Sequence, residues 1–182
     1  LLLHALLRLL LLLSSFTSAF DYAIILDCGS RGTRLHVYHR AADTVEDLLP
    51  SSKKIVPGLS FFGDSPAESV AYVLPLFEAA REIIPPGAQR STEVFLLGTG
   101  GLRLLSDRSE ARLFDTLVSG LNDHAANPSA LRRDQVLTIS GAAEAYFAAL
   151  SVNFMLGRID SRLRRAPSTH STPRFSPLQC RD

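Results

Sequence analysis

The sequence predicts an α/β domain built on a mixed β-sheet. Short apolar runs alternate with longer segments of helical periodicity between Tyr22 and Leu156, the pattern of strands and helices stacked in layers. The first two runs, Tyr22 to Leu26 and Leu35 to Tyr38, are separated by little more than a glycine-containing loop. That spacing makes them an antiparallel hairpin, and a hairpin opening a series of strand–helix units makes the sheet mixed.

The elements follow in order. Lys53 to Gly58 reads as a strand closed by Pro57-Gly58, a pair that breaks regular structure. Ser65 to Ile84 reads as a helix, with Ser65 as its cap, Pro66 at the first position and Glu68 three residues after the cap. Val70, Val73, Leu74, Phe77, Ala80 and Ile84 recur at helical spacing, a bend is expected at Pro75, and Pro85-Pro86-Gly87 ends the helix. Glu93 to Leu97 is a strand, Gly98 to Gly101 a glycine-rich turn, and Ser109 to Asn122 an amphipathic helix ended before Asn127-Pro128. Val136 to Ile139 is a strand. Ala142 to Leu156 is a helix whose apolar content predicts deep burial, and Gly157 is placed to stop it.

The two ends differ from this body. Leu1 to Leu13 is leucine-rich with Arg8 inside it, and Ser14 to Ala19 are mostly small residues. This is the layout of a secretory signal over residues 1–19, or of a signal anchor, and it directs the chain into the secretory pathway, to be secreted or held in the Golgi or plasma membrane. After Gly157 the composition turns to Arg, Ser, Thr and Pro, with six of the nineteen Lys and Arg residues against two acids. Residues 158–182 are therefore expected to be disordered or misread sequence, and residues 20–157 to form one folded lobe. A formal net charge of +1 without a basic folded body argues against nucleic-acid binding. Two cysteines, Cys28 and Cys180, define no disulfide framework.

Three segments carry chemistry. Asp27-Cys28-Gly29-Ser30-Arg31-Gly32-Thr33-Arg34 lies between the first two strands. Glycines there let backbone amides approach a phosphate, hydroxyls and guanidinium groups add hydrogen bonds, and a carboxylate at the strand end suits a metal-bound water. The same residues also make an ordinary hairpin turn. Leu97-Gly98-Thr99-Gly100-Gly101-Leu102-Arg103 repeats the pattern after another strand, as a second phosphate loop or as a plain strand-to-helix connection. Glu144 stands in the first turn of an apolar helix after Ile139-Ser140-Gly141, either as a carboxylate favoured by the helix dipole or as a general base acting on water.

Taken together, these segments resemble the nucleoside triphosphate diphosphohydrolases, the apyrase family. That family has a first region Asp-(Ala/Cys)-Gly-Ser-x-Gly-(Thr/Ser)-Arg, matched at Asp27 to Arg34, and a second, Ala-Thr-Ala-Gly-Met-Arg-Leu-Leu, matched at Gly98 to Leu105. A third, Ile-Ser-Gly-x-x-Glu-Gly-x-Tyr, is matched from Ile139 and continues to Gly157. Lys54 to Leu59 matches a segment carried between the first two. The resemblance covers roughly Ala23 to Gly157. It implies an RNase H-like lobe of the actin-like ATPase superfamily and hydrolysis of the terminal phosphates of nucleoside tri- and diphosphates with Mg2+ or Ca2+.

By the resemblance, Gly29, Ser30, Arg31, Gly32, Thr33 and Arg34, with Gly98 and Gly100, bind phosphate. Asp27 supports the metal through water, Thr99 positions the attacking water, and Glu144 is the catalytic base. Gly98 and Gly100 stand where the family has alanine, which should loosen the second loop; Ala145 and Ala149 replace a glycine and a tryptophan. The family's fourth region, an Asp-Leu-Gly-Gly-Ala-Ser loop, and its fifth do not occur in this sequence. The expectation is thus an N-terminal lobe with little turnover of its own. An exopolyphosphatase-like phosphohydrolase of the same superfamily and a non-catalytic truncated product are the alternatives.

Overall fold

The computed structural model describes residues 21–41, 44–49, 53–125, 127 and 129–159. The expected leader at 1–19 and the tail beyond residue 159 lie outside the described residues. Six strands form one sheet: β1 (Tyr22–Gly29), β2 (Gly32–Ala41), β3 (Thr44–Asp47), β4 (Lys54–Ile55), β5 (Glu93–Gly98) and β6 (Val136–Thr138). The order is β3-β2-β1-β5-β6, with β4 also paired to β2. β1 runs antiparallel to β2 and parallel to β5, and β5 runs parallel to β6, so the sheet is mixed.

Alternation along the strands decides what each face carries. Ile24, Leu26 and Cys28 of β1, Leu35 and Val37 of β2, and Val94 and Leu96 of β5 belong to the buried core. Helices α1 (Pro66–Ile83) and α2 (Asp107–Asn122) complete it with Val73, Leu76, Phe77 and Ala80, and with Leu113, Phe114, Leu117 and Leu121. Asp27, Arg34 and His36 have the opposite parity and stand on the other face.

Several boundaries move for local reasons. The strand expected over Lys53 to Gly58 shrinks to Lys54–Ile55, since Pro57 has no N–H to extend a ladder and Leu59–Phe62 coils into a 3-10 turn. Ser65 makes no side-chain cap; its carbonyl accepts from the Glu68 amide at 3.1 Å instead. α2 begins at Asp107 because Ser106 caps it, its hydroxyl accepting from the Ser109 amide at 3.2 Å. β3 has a single apolar residue, Val45, and was not foreseen.

Helix α3 (Gly141–Met155) forms, and Gly157 ends it in the left-handed conformation at φ +65°. The deep burial expected of it is not found: none of its described side chains is buried, and Tyr146 is 61% exposed. The neighbouring edge strand β6 has three residues, about 10 Å of chain. A helix of fifteen residues is about 22 Å long, so β6 cannot cover it. Apolar composition expresses a demand for burial and says nothing about what meets it.

Leu117 is fully buried where α1 and α2 meet the sheet, whereas Leu104 is 87% exposed. Urea unfolding of the 182-residue chain is expected to show Leu117→Ala losing about 2–5 kcal/mol. Leu104→Ala should stay within about 0.5 kcal/mol of the parent.

Candidate active site

The parallel strands end together. Cys28 lies opposite Gly98, and Gly98 opposite Thr138. Past the strand ends the pairing continues: the Thr99 amide donates to the Cys28 carbonyl at 3.2 Å, and the Ile139 amide to the Gly98 carbonyl at 2.9 Å. The hairpin loop at Ser30, the glycine turn at Thr99 and the start of α3 therefore emerge at one edge of the sheet.

Between them opens a cleft of about 370 Å³. The hairpin supplies Asp27, Gly29, Ser30, Arg31, Gly32 and Arg34; the second turn supplies Thr99, the third segment Glu144, and β4 adds Lys54. Asp27 and Glu144 stand at opposite ends of the folded segment in sequence, yet both line this one space.

Glycines hold the hairpin loop in place. A Cβ on Gly32 (φ +156°) would stand 2.5 Å from both the Ile55 carbonyl oxygen and Lys54 Cε. Two glycines outside the loop press on Ser30: a Cβ at Gly58 would meet its carbonyl oxygen at 2.4 Å, and one at Gly101 its Cα at 2.9 Å. Only a residue without a side chain fits at these contacts.

The two carboxylates have different settings. Asp27 is 5% exposed, and burial pushes its carboxyl above the usual range; His36 and Arg34 oppose that rise, and Glu144 adds to it. Arg34 Nη1 lies 3.6 Å from Asp27 Oδ2. Glu144 is held by Arg103, whose Nη1 and Nη2 donate to Oε2 at 2.9 and 3.0 Å while Nη1 also donates to the Ile139 carbonyl at 2.9 Å. The Ser140 hydroxyl accepts from the Ala143 amide at 3.1 Å, so a serine caps α3 and the Glu144 carboxylate is directed elsewhere.

Not every expected residue reaches the cleft. Thr33 does not line it: strand alternation turns the side chain to the core face, where the hydroxyl accepts from Tyr72 at 3.4 Å. Gly98 is also outside the lining, buried where a Cβ would meet Leu102 Cδ1 at 2.4 Å and Thr138 Oγ1 at 2.8 Å. Gly100 is not in the lining either, and a Cβ there would find only Arg103 Nη2, at 3.6 Å. Within the turn the Leu102 and Arg103 amides both donate back to the Thr99 carbonyl, at 3.1 and 3.4 Å.

Two residues at the site went unassigned in the sequence reading. Arg103 sits inside the second motif, and its signal was a lone cation in an otherwise apolar and glycine-rich turn. Lys54 opens the Lys54 to Leu59 match, which assigns it no role; pairing of β4 with β2 brings it to the cleft.

Residues 15–176 match the GDA1/CD39 (nucleoside phosphatase) family. Over 150 residues the chain is 35% identical to the nucleoside-triphosphatase ntp-1 of Caenorhabditis elegans, covering 76% of this chain and 27% of that protein. It is 33% identical over 153 residues to ectonucleoside triphosphate diphosphohydrolase 7 of Mus musculus, covering 77% and 25%. Among solved structures, a nucleoside triphosphate hydrolase from Neospora caninum shares the fold with a TM-score of 0.54 at 19% identity, over 84% of this chain and 35% of that one. The chain thus spans about a quarter of the length of these curated relatives. The chain belongs to the GDA1/CD39 nucleoside phosphatase family.

Proposed function

We propose that this chain is the N-terminal, RNase H-like lobe of an actin-like nucleoside tri- and diphosphate hydrolase. The carrying observation is that Asp27, the Ser30 loop, Thr99 and Glu144 line one cleft although they come from three separate segments. The names of the curated relatives, nucleoside-triphosphatase and ectonucleoside triphosphate diphosphohydrolase, agree with that chemistry.

In this reading the Ser30 loop and its guanidinium groups hold the terminal phosphoryl group. Water attacks phosphorus in line, the bond to the bridging oxygen breaks, and Glu144 takes the proton that the water gives up. Thr99, at the cleft wall, orients that water through its hydroxyl. Arg103 keeps Glu144 aimed by occupying Oε2.

The donor set suits a weakly held hard cation. Among the described residues no three His, Cys, Asp or Glu side chains gather as a metal cluster. Mg2+ is commonly bound through one or two carboxylates, several waters and the substrate's phosphates, and the single carboxylate of Asp27 fits that pattern. Asp27 would hold Mg2+ or Ca2+ through water, and the ion would neutralise phosphate charge. Residues 1–19 are read as the signal or anchor that delivers this lobe to the secretory pathway.

A lobe alone leaves one side of the nucleotide in water, where each electrostatic contact is weaker. The 182-residue chain is therefore expected to bind ATP in equilibrium dialysis but to release phosphate from ATP or ADP near background, with either cation. Joined to a second lobe it should turn over, and Glu144→Gln should then lower kcat by about 10²–10⁴-fold with little change in KM. Unimpaired turnover by Glu144→Gln would remove the glutamate from this role.

Asp27 yields a prediction about stability. A carboxyl raised by burial favours folding while protonated, and that contribution is lost as pH rises from the unfolded value of 3.8 through the higher folded one. Asp27→Asn is therefore expected to raise the urea midpoint at pH 7, with the gain shrinking as pH falls through the folded value and gone below the unfolded value of 3.8. A variant less stable than the parent at pH 7 would contradict it.

A further inference from the structure

Resting on the phosphate-cleft reading above, we infer that Lys54 is a phosphate-binding residue of this cleft, presented by β4 beside the hairpin loop. Its place follows from register. Asp27 pairs with Arg34, and Arg34 with Lys54, across three adjacent strands. Residues directly opposite on neighbouring strands share a face, so the three form one row.

The row is electrostatically unbalanced. Asp27 pairs with Arg34 at 3.6 Å, and Glu144 with Arg103 at 2.9 Å. Each carboxylate of the cleft already has its own arginine. Among the described residues, Lys54 and Arg31 have no carboxylate partner. Like charges directly opposite on adjacent strands repel, and Lys54 stands opposite Arg34. An anion with more than one negative charge, seated against Ser30, relieves that repulsion.

Lys54 Cε lies 2.5 Å from where a Gly32 Cβ would be, so the lysine stem crosses the hairpin loop at its glycine. The adjacent Lys53 shows the contrast: its Nζ donates to the Pro75 carbonyl of α1 at 3.3 Å, and it is not part of the cleft lining. One lysine braces a helix, and the next faces the loop. The ligand feature read by Lys54 is phosphate charge, whatever base is attached.

The test is calorimetric titration of the 182-residue chain with inorganic tripolyphosphate at fixed ionic strength, with Lys54→Gln, Lys54→Arg and Lys53→Gln. Lys54→Gln is expected to weaken binding about 10- to 100-fold, the loss of one hydrogen bond between charged groups. Lys54→Arg should stay within about threefold, as should Lys53→Gln, which removes the same charge outside the cleft. The urea midpoint of Lys54→Gln should equal or exceed the parent's, because repulsion from Arg34 is relieved; a purely structural lysine would lower it. Equal weakening by Lys53→Gln and Lys54→Gln, or no weakening by Lys54→Gln in a parent that binds, overturns the assignment of Lys54 alone. A parent that does not bind tripolyphosphate overturns the phosphate cleft itself, and Lys54 with it.

Discussion

The parallel registration of β1, β5 and β6 is the constraint from which the site follows. Strands in such a ladder sit about 4.8 Å apart, so segments starting at Cys28, Gly98 and Thr138 must begin within about 10 Å of one another. That brings residues from positions 30, 99 and 144 to a common space, and the Arg103–Glu144 ion pair at 2.9 Å then ties the second turn to the third segment. The register is enforced by the core. A slip of β1 by one residue would carry the Asp27 carboxylate into the layer occupied by Leu26 and Cys28, and that layer offers it no counter-charge.

On this frame the cleft combines charge pairing with charge surplus. Arg34 and Arg103 each attend one carboxylate, that of Asp27 buried and that of Glu144 41% exposed. Asp27 remains costly despite its partner, as its raised carboxyl shows. On the reading proposed above, stability is given up here to hold a charge near a ligand.

What the sequence made legible was what local pattern encodes. The hairpin, α1 and α2 follow from apolar spacing and from caps or breakers within a few residues, and the three glycine- or carboxylate-bearing segments could be seen at the ends of strands. What it concealed depended on pairing partners. Thr33 looked like a phosphate ligand because it stands beside Gly32, yet alternation along β2 turns it to Tyr72. Lys54 reaches the cleft through strand register, and Arg103 meets the Glu144 carboxylate across 41 positions, neither of which a short window contains. The exposed apolar surface of α3 was hidden for the same reason, because a helix cannot announce the length of the strand beside it. β3 was missed for a simpler cause: four residues with one apolar side chain carry almost no periodic signal.

The close approach of Gly58 and Gly101 to Ser30 has a thermodynamic consequence. Fixing one residue's backbone costs about 1–2 kcal/mol in conformational entropy at room temperature. Here neighbouring backbone already confines the segment before any ligand arrives. On the phosphate-cleft reading, capture of an anion immobilises little additional chain, so less of the gain from new hydrogen bonds is lost to ordering. Rigidity at this turn is then a form of stored selectivity.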